Sequence, residues 1–317
     1  MNQLFLGKSK IKVSEQILGC WAIGGSYWGG ADDKASIATI RTAIEGGITS
    51  LDTAYIYGNG HSEKIVHEGI KEYDRKKLTI ITKLWKSEMS HDRIENACDA
   101  SLKALGTDYA DVYFIHYPSD EISIEETMDG MMKLKEKGKI KSIGVSNFSF
   151  EQLKEATKYG EIDVIEPCYS LVWRFIDKEE LPYCIENNIG IISYSTLAQG
   201  ILTGKFTKDK KFAKDDGRSK ATLFQPPYFN DALQVTEHIK KIALKYDKTP
   251  SQVAINWILK TKGITAAIVG ARTEKQIKEN LQASKFALSQ DDYDYLDCIS
   301  KKFAYDLPKF QSFFFAK

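Results

Sequence analysis

Asp52, Tyr57, Lys83 and His116 stand at or just after the ends of short apolar runs that are typical of buried strands. Reduction of a carbonyl needs a hydride donor and an acid that protonates the developing alkoxide. A tyrosine whose pKa is lowered by a nearby ammonium can be that acid. We therefore predict that Tyr57 is the acid, that Lys83 supplies the ammonium and that Asp52 holds Lys83 in place. His116 would hydrogen-bond the carbonyl or share the proton.

Each of these four residues also has a purely structural interpretation. An aspartate at a strand end often caps the next helix, and a lysine there is often a solvated charge on the rim. A tyrosine or a histidine next to an apolar run can simply belong to the packed interior. Only their joint placement on successive strand ends favours chemistry.

The elements that must position these residues are short apolar runs alternating with amphipathic segments. Runs such as 78–82 and 190–194 are nearly continuous, as in parallel strands buried on both faces. The predicted strands lie near 14–18, 48–52, 78–83, 111–117, 140–146, 163–169, 189–194 and 266–270. The predicted helices lie near 34–46, 61–73, 91–105, 125–138, 149–159, 177–188 and 231–261.

Eight strand–helix units with no break in composition predict an α/β fold, a single (β/α)8 TIM barrel over residues 1–317. An open doubly wound sheet uses the same elements and is the alternative. In a barrel, catalytic residues lie at the carboxyl ends of the strands. The barrel would therefore bring the four ionisable residues to one face.

Residues at the predicted helix ends agree with these boundaries. Ser149, with a glutamine three residues later, has the pattern of a capping box. Gly47, Gly138, Gly160 and Gly190 follow predicted helices, where a glycine in the left-handed conformation is common.

Composition narrows the class of protein. Hydrophobic residues make up 43% and charged residues 27%, and the net charge is +1, so neither a nucleic acid nor a membrane is expected as a partner. The five cysteines form no CxxC pair and favour reduced thiols in the cytoplasm. We expect no signal peptide and no membrane span, because no run of about 18 apolar residues occurs. The five histidines lack zinc-site spacing, so no metal site is expected.

Two segments stand apart from the regular pattern. Residues 202–230 form the longest irregular, lysine-rich stretch and follow the seventh predicted strand. A loop of this length is usually functional or disordered. The tail, about 297–317, is aromatic and is expected to pack somewhere. It would either fold over the mouth of the pocket or make a contact in an oligomer.

Four ordered blocks of sequence resemble the aldo-keto reductase family. They are Asp52-Thr53-Ala54-x-x-Tyr57-Gly58-x-Gly60-x-Ser62-Glu63, Thr82-Lys83, Ile115-His116-Tyr117-Pro118 and Gly144-Val145-Ser146-Asn147-Phe148. The resemblance extends from about Leu6 to about Leu296. Residues 19–25 and 197–205 resemble the bacterial branch that includes inositol-utilisation and general-stress reductases. The family implies NADPH-dependent reduction of an aldehyde or ketone, or oxidation of a polyol or sugar alcohol. Tyr57 would be the general acid, tuned by Lys83 and Asp52, and His116 would orient the carbonyl.

The resemblance also implies a binding site for the cofactor. Ser146, Asn147 and Glu166 match positions at the nicotinamide carboxamide, and Tyr194 matches the aromatic residue that stacks on the ring. Ser195, Thr196, Leu197, Gln199, Gly200 and Lys205 match the strap that binds the pyrophosphate. Gly270, Arg272, Gln276, Glu279 and Asn280 match the segment at the adenosine phosphate. Trp21 and Asp52 complete the expected set. An arginine at a helix start suits a 2′-phosphate, which favours NADP over NAD.

Two positions depart from the family pattern. Glu166 stands where the family usually has glutamine, and a carboxylate cannot donate to the carboxamide unless it is protonated. Its charge would also bias the redox balance of the ring. Thr196 stands where many relatives have proline. We expect a looser backbone there and fewer contacts from the strap to phosphate.

Two other functions stay open on the sequence. A strand-end lysine in a barrel can form a Schiff base, so Lys83 could belong to a lyase. Some proteins that resemble this family act instead as nucleotide-sensing subunits of membrane complexes with slow chemistry. The sequence does not identify the carbonyl substrate. Trp21, Tyr27, Trp28 and Tyr55 would line an apolar substrate pocket or only pack at the end of the barrel.

Overall fold

The predicted barrel is present and closed. A computed structural model of the protein describes residues 1–25, 30–213 and 216–304. Within those residues, eight parallel strands pair side by side and the last pairs with the first. The strands are β1 (Gln3–Phe5) and β2 (Lys12–Ser14), which form an antiparallel hairpin, and the barrel strands β3 (Gln16–Gly19), β4 (Ser50–Asp52), β5 (Thr79–Leu84), β6 (Ala110–Ile115), β7 (Ile140–Ser146), β8 (Val164–Glu166), β9 (Gly190–Ser193) and β10 (Ala266–Gly270).

Helices pack against the strands and against their neighbouring helices. They are α1 (Asp33–Glu45), α2 (His61–Ile70), α3 (His91–Leu105), α4 (Ile124–Glu136), α5 (Phe150–Tyr159), α6 (Glu180–Glu186), α7 (Tyr228–Lys245), α8 (Pro250–Lys260), α9 (Glu274–Leu281) and α10 (Gln290–Ala304). The predicted helix 231–261 is therefore wrong as one unit. Thr249 caps the start of α8 with a capping box, and Pro250 is the first residue of α8. The helical segment is therefore interrupted between α7 and α8.

The expectations for helix ends hold in part. Ser149 begins α5 with the predicted capping box. Gly47 and Gly138 have φ of 95° and 73°, in the left-handed region that favours glycine. Gly160 has φ of 179°, which is extended backbone, and Gly190 is the first residue of β9. These two glycines are not left-handed caps. At Gly190 a Cβ atom would approach the backbone nitrogen of Gly7 at 3.0 Å, a close contact that favours glycine there.

The inward-facing side chains of the barrel strands form two layers. The lower layer is apolar, and the layer at the carboxyl ends of the strands is largely polar. Side chains two apart on a strand point to the same face. Ile17, Ile81, Phe114, Val164, Ile192 and Ile268 belong to one buried cluster inside the barrel. Two residues further along each strand, at its carboxyl end, lies a set of residues that we call the upper layer. It consists of Gly19, Asp52, Lys83, His116, Ser146, Glu166, Tyr194 and Gly270.

The hairpin β1–β2 covers the amino end of the barrel. Leu6 and Val13 are fully buried and belong to the same interior cluster. The hydroxyl of Thr79 donates a hydrogen bond to the carbonyl of Lys12, and the backbone N–H of Ser14 donates to the hydroxyl of Ser50. The sequence reasoning did not predict this hairpin. Since it fills the amino end, the carboxyl end remains as the place for a cleft.

The long segment 202–230, expected to be either functional or disordered, contributes Thr203, Lys205 and Arg218 to the lining of a cleft. The structure describes all of this segment except residues 214–215, and α7 already begins at Tyr228. Phe206 and Phe212 have ring centroids 5.6 Å apart, and Phe212 and Phe224 lie 4.9 Å apart. An aromatic cluster therefore holds the segment together.

The two interpretations of the aromatic tail concern residues that lie largely outside the described part of the chain, since α10 ends at Ala304. Among the described residues, no helix is long and apolar enough to cross a membrane.

Candidate active site

A cleft of about 630 Å³ opens at the carboxyl ends of the barrel strands. This volume lies within the range of about 300–1,000 Å³ that is common for sites of small molecules and cofactors. The predicted cofactor residues all contribute to its lining, as do Tyr57 and His116. They are Trp21, Asp52, Ser146, Asn147, Glu166, Tyr194, Ser195, Thr196, Leu197, Gln199, Gly200, Lys205, Gly270, Arg272, Gln276, Glu279 and Asn280. Their placement is observed, and the role of each stays a prediction.

Lys83 lies beneath the cleft, fully buried, and not in its lining. Its Nζ donates to Asp52 Oδ2 at 2.6 Å and to the carbonyl of Thr53 at 3.0 Å. Glu166 Oε1 lies 3.4 Å from the same nitrogen. Burial alone would lower the pKa of Lys83, but the charges of Asp52 and Glu166 outweigh it and raise the pKa above its ordinary value. Lys83 is therefore a permanent ammonium.

Tyr57 stands between this ammonium and the cleft. Its ring centroid is 5.4 Å from Lys83 Nζ and 5.7 Å from the ring of His116, at 80° to it. The ring is partly open to the cleft, but burial around the hydroxyl raises the pKa of Tyr57 above its ordinary value, and Lys83 only partly offsets this. The expected net lowering of the pKa is therefore wrong. Tyr57 is a protonated phenol at neutral pH, as an acid must be before it donates.

His116 is held as a neutral imidazole. Burial, and then the charge of Lys83, lower its pKa well below the ordinary value. The rings of Trp85 and Tyr117 pack against it, at 5.3 Å and 5.4 Å between centroids. Its Nδ1 is buried and makes no hydrogen bond to any described residue. A neutral imidazole has one N–H to donate, which suits a hydrogen bond to a carbonyl oxygen.

Residues at the ends of β7 and β8 and just after β7 and β9 form a preordered polar floor. The hydroxyl of Tyr194 donates to Asn147 Oδ1 at 2.7 Å, and Asn147 Nδ2 donates to Ser146 Oγ at 3.0 Å. The hydroxyl of Ser146 donates to the carbonyl of Glu166 at 2.8 Å. Asn147 adopts the left-handed region with φ of 60°. An aromatic ring beside fixed amide and hydroxyl groups fits a flat ligand ring that carries a polar substituent.

The strap after β9 turns its backbone sharply toward the cleft. Ser195, Ala198, Gln199 and Gly200 all have positive φ, between 48° and 102°. Both side-chain polar atoms of Gln199 are buried and make no hydrogen bond among the described residues. Buried polar groups normally have partners. Their lack of one here fits a site whose ligand supplies it.

Thr196 ties this strap to the barrel. It is buried, and its hydroxyl donates to the carbonyl of Ile268 in β10 at 2.7 Å. This hydrogen bond anchors the strap at the position where many relatives have proline, and the expectation of a looser backbone stays a prediction.

The far end of the cleft is a helix start with a cation. Thr273 caps α9 by accepting a hydrogen bond from the N–H of Gln276. The backbone N–H of Arg272 donates to Gln276 Oε1 at 2.8 Å, and Nη2 of Arg272 donates to the carbonyl of Gly30 at 2.5 Å. Helix starts and guanidinium groups both attract phosphate. The donor set therefore fits the phosphate groups of a nucleotide.

Several residues of the cleft wall were not among the predicted site residues, and three of them carry large polar or aromatic side chains. Arg218 lines it, forms an ion pair with Asp216 at 2.6 Å and donates to the carbonyl of Gln199 at 3.4 Å. The one available signal was an arginine in a lysine-rich segment after strand seven. Trp85 and Tyr117 also line the cleft. Their signal was the position, two residues after Lys83 and one after His116.

The aromatic residues expected around the substrate differ in outcome. Trp21 lines the cleft, with its ring 6.2 Å from that of Tyr57. Tyr55 does not line it and is 41% exposed. Tyr27 and Trp28 lie outside the described residues.

A closed barrel with its cleft and ionisable residues at the carboxyl ends of the strands is the arrangement of a (β/α)8 enzyme. The family model "Aldo/keto reductase family" matches residues 16–301. The chain belongs to this family of oxidoreductases, as its sequence blocks predicted.

Relatives match nearly the whole chain. An aldo-keto reductase, YhdN, of Bacillus subtilis (strain 168) is 38% identical over 94% of this chain and 93% of its own length. The NADH-specific methylglyoxal reductase of Escherichia coli (strain K12) is 33% identical over 92% of this chain and 96% of its own.

Solved structures agree on the fold. The glycerol dehydrogenase AKR11B4 from Gluconobacter oxydans superposes with a TM-score of 0.86 at 32% identity, covering 96% of this chain and 97% of that one. An aldo/keto reductase from Klebsiella pneumoniae, solved in complex with NADP and acetate, superposes with a TM-score of 0.79 at 25% identity, covering 98% of this chain and 100% of that one.

Proposed function

We propose that this protein transfers hydride between NADPH and a small aldehyde or ketone, with Tyr57 as general acid. The reverse reaction, oxidation of a polyol or sugar alcohol, uses the same groups. One observation carries the proposal: the phenol of Tyr57 and the neutral imidazole of His116 face one cleft, 5.7 Å apart, above a permanent ammonium. A bound nicotinamide would supply the hydride.

The remaining residues have distinct tasks. The N–H of His116 holds the carbonyl oxygen, and the hydroxyl of Tyr57 gives its proton to the alkoxide as charge develops there. The ammonium of Lys83 stabilises the tyrosinate that is left, and Asp52 fixes the ammonium in position. Trp85 and Tyr117 shield the oxygen from water on the side of His116.

The lyase alternative is not favoured. Schiff-base formation needs a neutral amine. The pKa of Lys83 is raised above its ordinary value by Asp52 and Glu166 against the opposing effect of burial, and its Nζ is already engaged. A nucleotide-sensing role without turnover shares the same cleft, and the test below separates it from a reductase.

The test follows the loss of NADPH absorbance with a panel of aldehydes, ketones and sugars, and the appearance of NADPH absorbance from NADP⁺ with the corresponding polyols. We expect turnover on part of the panel. Tight binding of NADPH with no turnover on any carbonyl or polyol would contradict the reductase and support the sensor. Failure to bind either nicotinamide cofactor would contradict both.

Arg272 supports NADP as the preferred nucleotide, although one relative is described as NADH-specific. Removing its guanidinium in Arg272→Ala is expected to raise the Kd of NADPH by roughly 10- to 100-fold, since hydrogen bonds to charged groups contribute about 1.5–3 kcal/mol. The Kd of NADH should change much less, because NADH lacks the 2′-phosphate. Titration of protein fluorescence with each cofactor measures both constants.

Lys275→Ala is the matched control for Arg272→Ala. Lys275 is exposed, lies three residues away on α9 and does not line the cleft. If both variants raise the Kd of NADPH equally, the effect comes from the loss of a positive charge in this region and not from a specific contact of Arg272. If Arg272→Ala weakens NADPH and NADH equally, the guanidinium does not read the 2′-phosphate.

A further inference from the structure

Glu166 is a third ionisable group in the upper layer, beside the ion pair of Lys83 and Asp52. It is 3% exposed. Its Oε1 lies 3.4 Å from Lys83 Nζ, whereas Asp52 holds that nitrogen at 2.6 Å. Its Oε2 is buried and makes no hydrogen bond among the described residues. Two carboxyl groups thus face one ammonium, and only one negative charge is balanced.

Glu166 and Asp52 are two neighbouring carboxyl groups whose pKa burial raises, and Asp52 is the one that the ammonium of Lys83 contacts at 2.6 Å. Burial, and then the charge of Asp52, raise the pKa of Glu166 well above its ordinary value, against the opposing charge of Lys83. Lys83 keeps its proton, because its pKa is raised by the two carboxyl groups against the effect of burial. The pKa of His116 is lowered by burial, so the imidazole stays neutral.

The other titratable groups around this carboxyl stay protonated. Burial raises the pKa of each of them above its ordinary value. They are Tyr57, Tyr117, Cys168 and Tyr194.

Glu166 also lines the cleft together with the floor residues Ser146, Asn147 and Tyr194. On the proposed function, on which this inference rests, that floor holds the nicotinamide. The oxidised ring carries a positive charge and the reduced ring carries none. We propose that Glu166 couples the redox state of the bound ring to one proton, being a carboxylate beside the oxidised ring and a neutral acid beside the reduced ring.

Water next to Glu166 can exchange this proton with the carboxyl group. A second cavity of about 40 Å³ adjoins the cleft and is lined by Glu166, Asn147, Tyr194 and Cys168. One water needs about 10–15 Å³ of such volume and two or more polar partners. Water in this cavity would take the proton from Glu166 or return it, while hydride transfer and the proton on Tyr57 remain as proposed above. Glu166 makes and breaks no bond to carbon.

This coupling predicts how the affinities for NADP⁺ and for NADPH depend on pH. As pH rises, Glu166 ionises more readily and its charge stabilises the oxidised ring. The ratio of the Kd of NADP⁺ to the Kd of NADPH should therefore fall with rising pH, by at most about tenfold per pH unit for one proton. The phosphate groups are the same in both nucleotides, so their titration cancels in the ratio.

The experiment measures both dissociation constants by fluorescence titration between about pH 6 and about pH 9, because burial moves the pKa of a carboxyl group upward from its ordinary range. We expect a falling ratio in the wild type and in Tyr57→Phe, and a ratio that changes less than about twofold in Glu166→Gln. Glutamine keeps the shape of the side chain without its charge. Tyr57→Phe tests whether the tyrosine carries the effect instead.

A second measurement needs no variant. Calorimetric titration of the wild type in two buffers with different heats of ionisation counts the protons taken up with each nucleotide. NADPH should bind with more proton uptake than NADP⁺. Equal uptake, or an equal pH slope in Glu166→Gln and wild type, overturns the inference while the proposed function stands. If neither nucleotide binds, the proposed function itself is wrong.

Discussion

Tyr57→Phe is expected to lower kcat for carbonyl reduction by about 10²- to 10⁴-fold, the usual contribution of a positioned general acid. The pKa of Tyr57 is raised by burial, so the wild-type phenol is protonated at neutral pH and can donate. Phenylalanine keeps the ring that packs near His116 and Trp21 but removes that proton. The Kd of NADPH should therefore stay close to the wild-type value.

Steady-state kinetics on the best carbonyl of the panel, together with a binding titration, measure this effect. Tyr55→Phe is the matched control, because Tyr55 is two residues away, is 41% exposed and does not line the cleft. The Tyr55→Phe variant should reduce the carbonyl substrate with the kcat of the wild type. A Tyr57→Phe variant within a few-fold of wild-type kcat would show that another group protonates the alkoxide.

Lys83→Met should be the most damaging single change to both stability and activity. It removes the ammonium that Asp52 contacts at 2.6 Å and Glu166 at 3.4 Å, and leaves two buried carboxyl groups facing each other. Breaking a buried pair by removing one partner costs about 3–5 kcal/mol of unfolding free energy. Turnover should fall with it, because no charge then stabilises the tyrosinate of Tyr57.

The pH dependence of this loss has a definite sign. The pKa of Glu166 in the folded protein is already well above its ordinary value, through burial and the charge of Asp52. A carboxyl with a raised folded-state pKa makes stability fall as pH rises through that pKa. Without Lys83 the pKa rises further, so Lys83→Met should lose more stability near about pH 8 than near about pH 5.5.

Urea unfolding at the two pH values measures the loss. Lys86→Met is the control, since its side chain is 49% exposed and its nearest carboxylate is 3.9 Å away. Adding Asp52→Asn to Lys83→Met should restore part of the stability and none of the activity. An unfolding free energy within about 1 kcal/mol of wild type at the higher pH would show that the buried pair contributes as little as a surface pair.

The alternation of strands and helices was readable because the barrel strands are continuous apolar runs and most helices have clear start signals. The elements that the sequence reasoning missed lack such signals or were merged. β1 is three residues long and exposed throughout, so it has no apolar pattern. The interruption before α8 does have a signal in the sequence, the Thr249-Pro250 pair. It was overlooked because the apolar residues continue with helical spacing through both helices.

The site was predictable where it depends on position along a strand. Asp52, Lys83 and His116 lie at or next to the ends of successive strands, and a barrel brings such ends together. The pKa of Tyr57 was not predictable, because burial outweighs the neighbouring charge and burial is a property of the fold. Arg218 was missed because it reaches the cleft from a segment whose path depends on packing between distant phenylalanines.

The two-residue step between the apolar cluster and the upper layer has a consequence for redesign. Inserting or deleting one residue inside a barrel strand would turn the upper-layer side chain of that strand away from the cleft. Exchanging a connecting segment leaves that side chain in place. Libraries aimed at new substrates should therefore vary Trp85, Tyr117 and the residues of segment 202–230 other than Lys205, and keep the strands fixed. The choice of substrate can then be changed while Asp52, Tyr57, Lys83 and His116 stay in place.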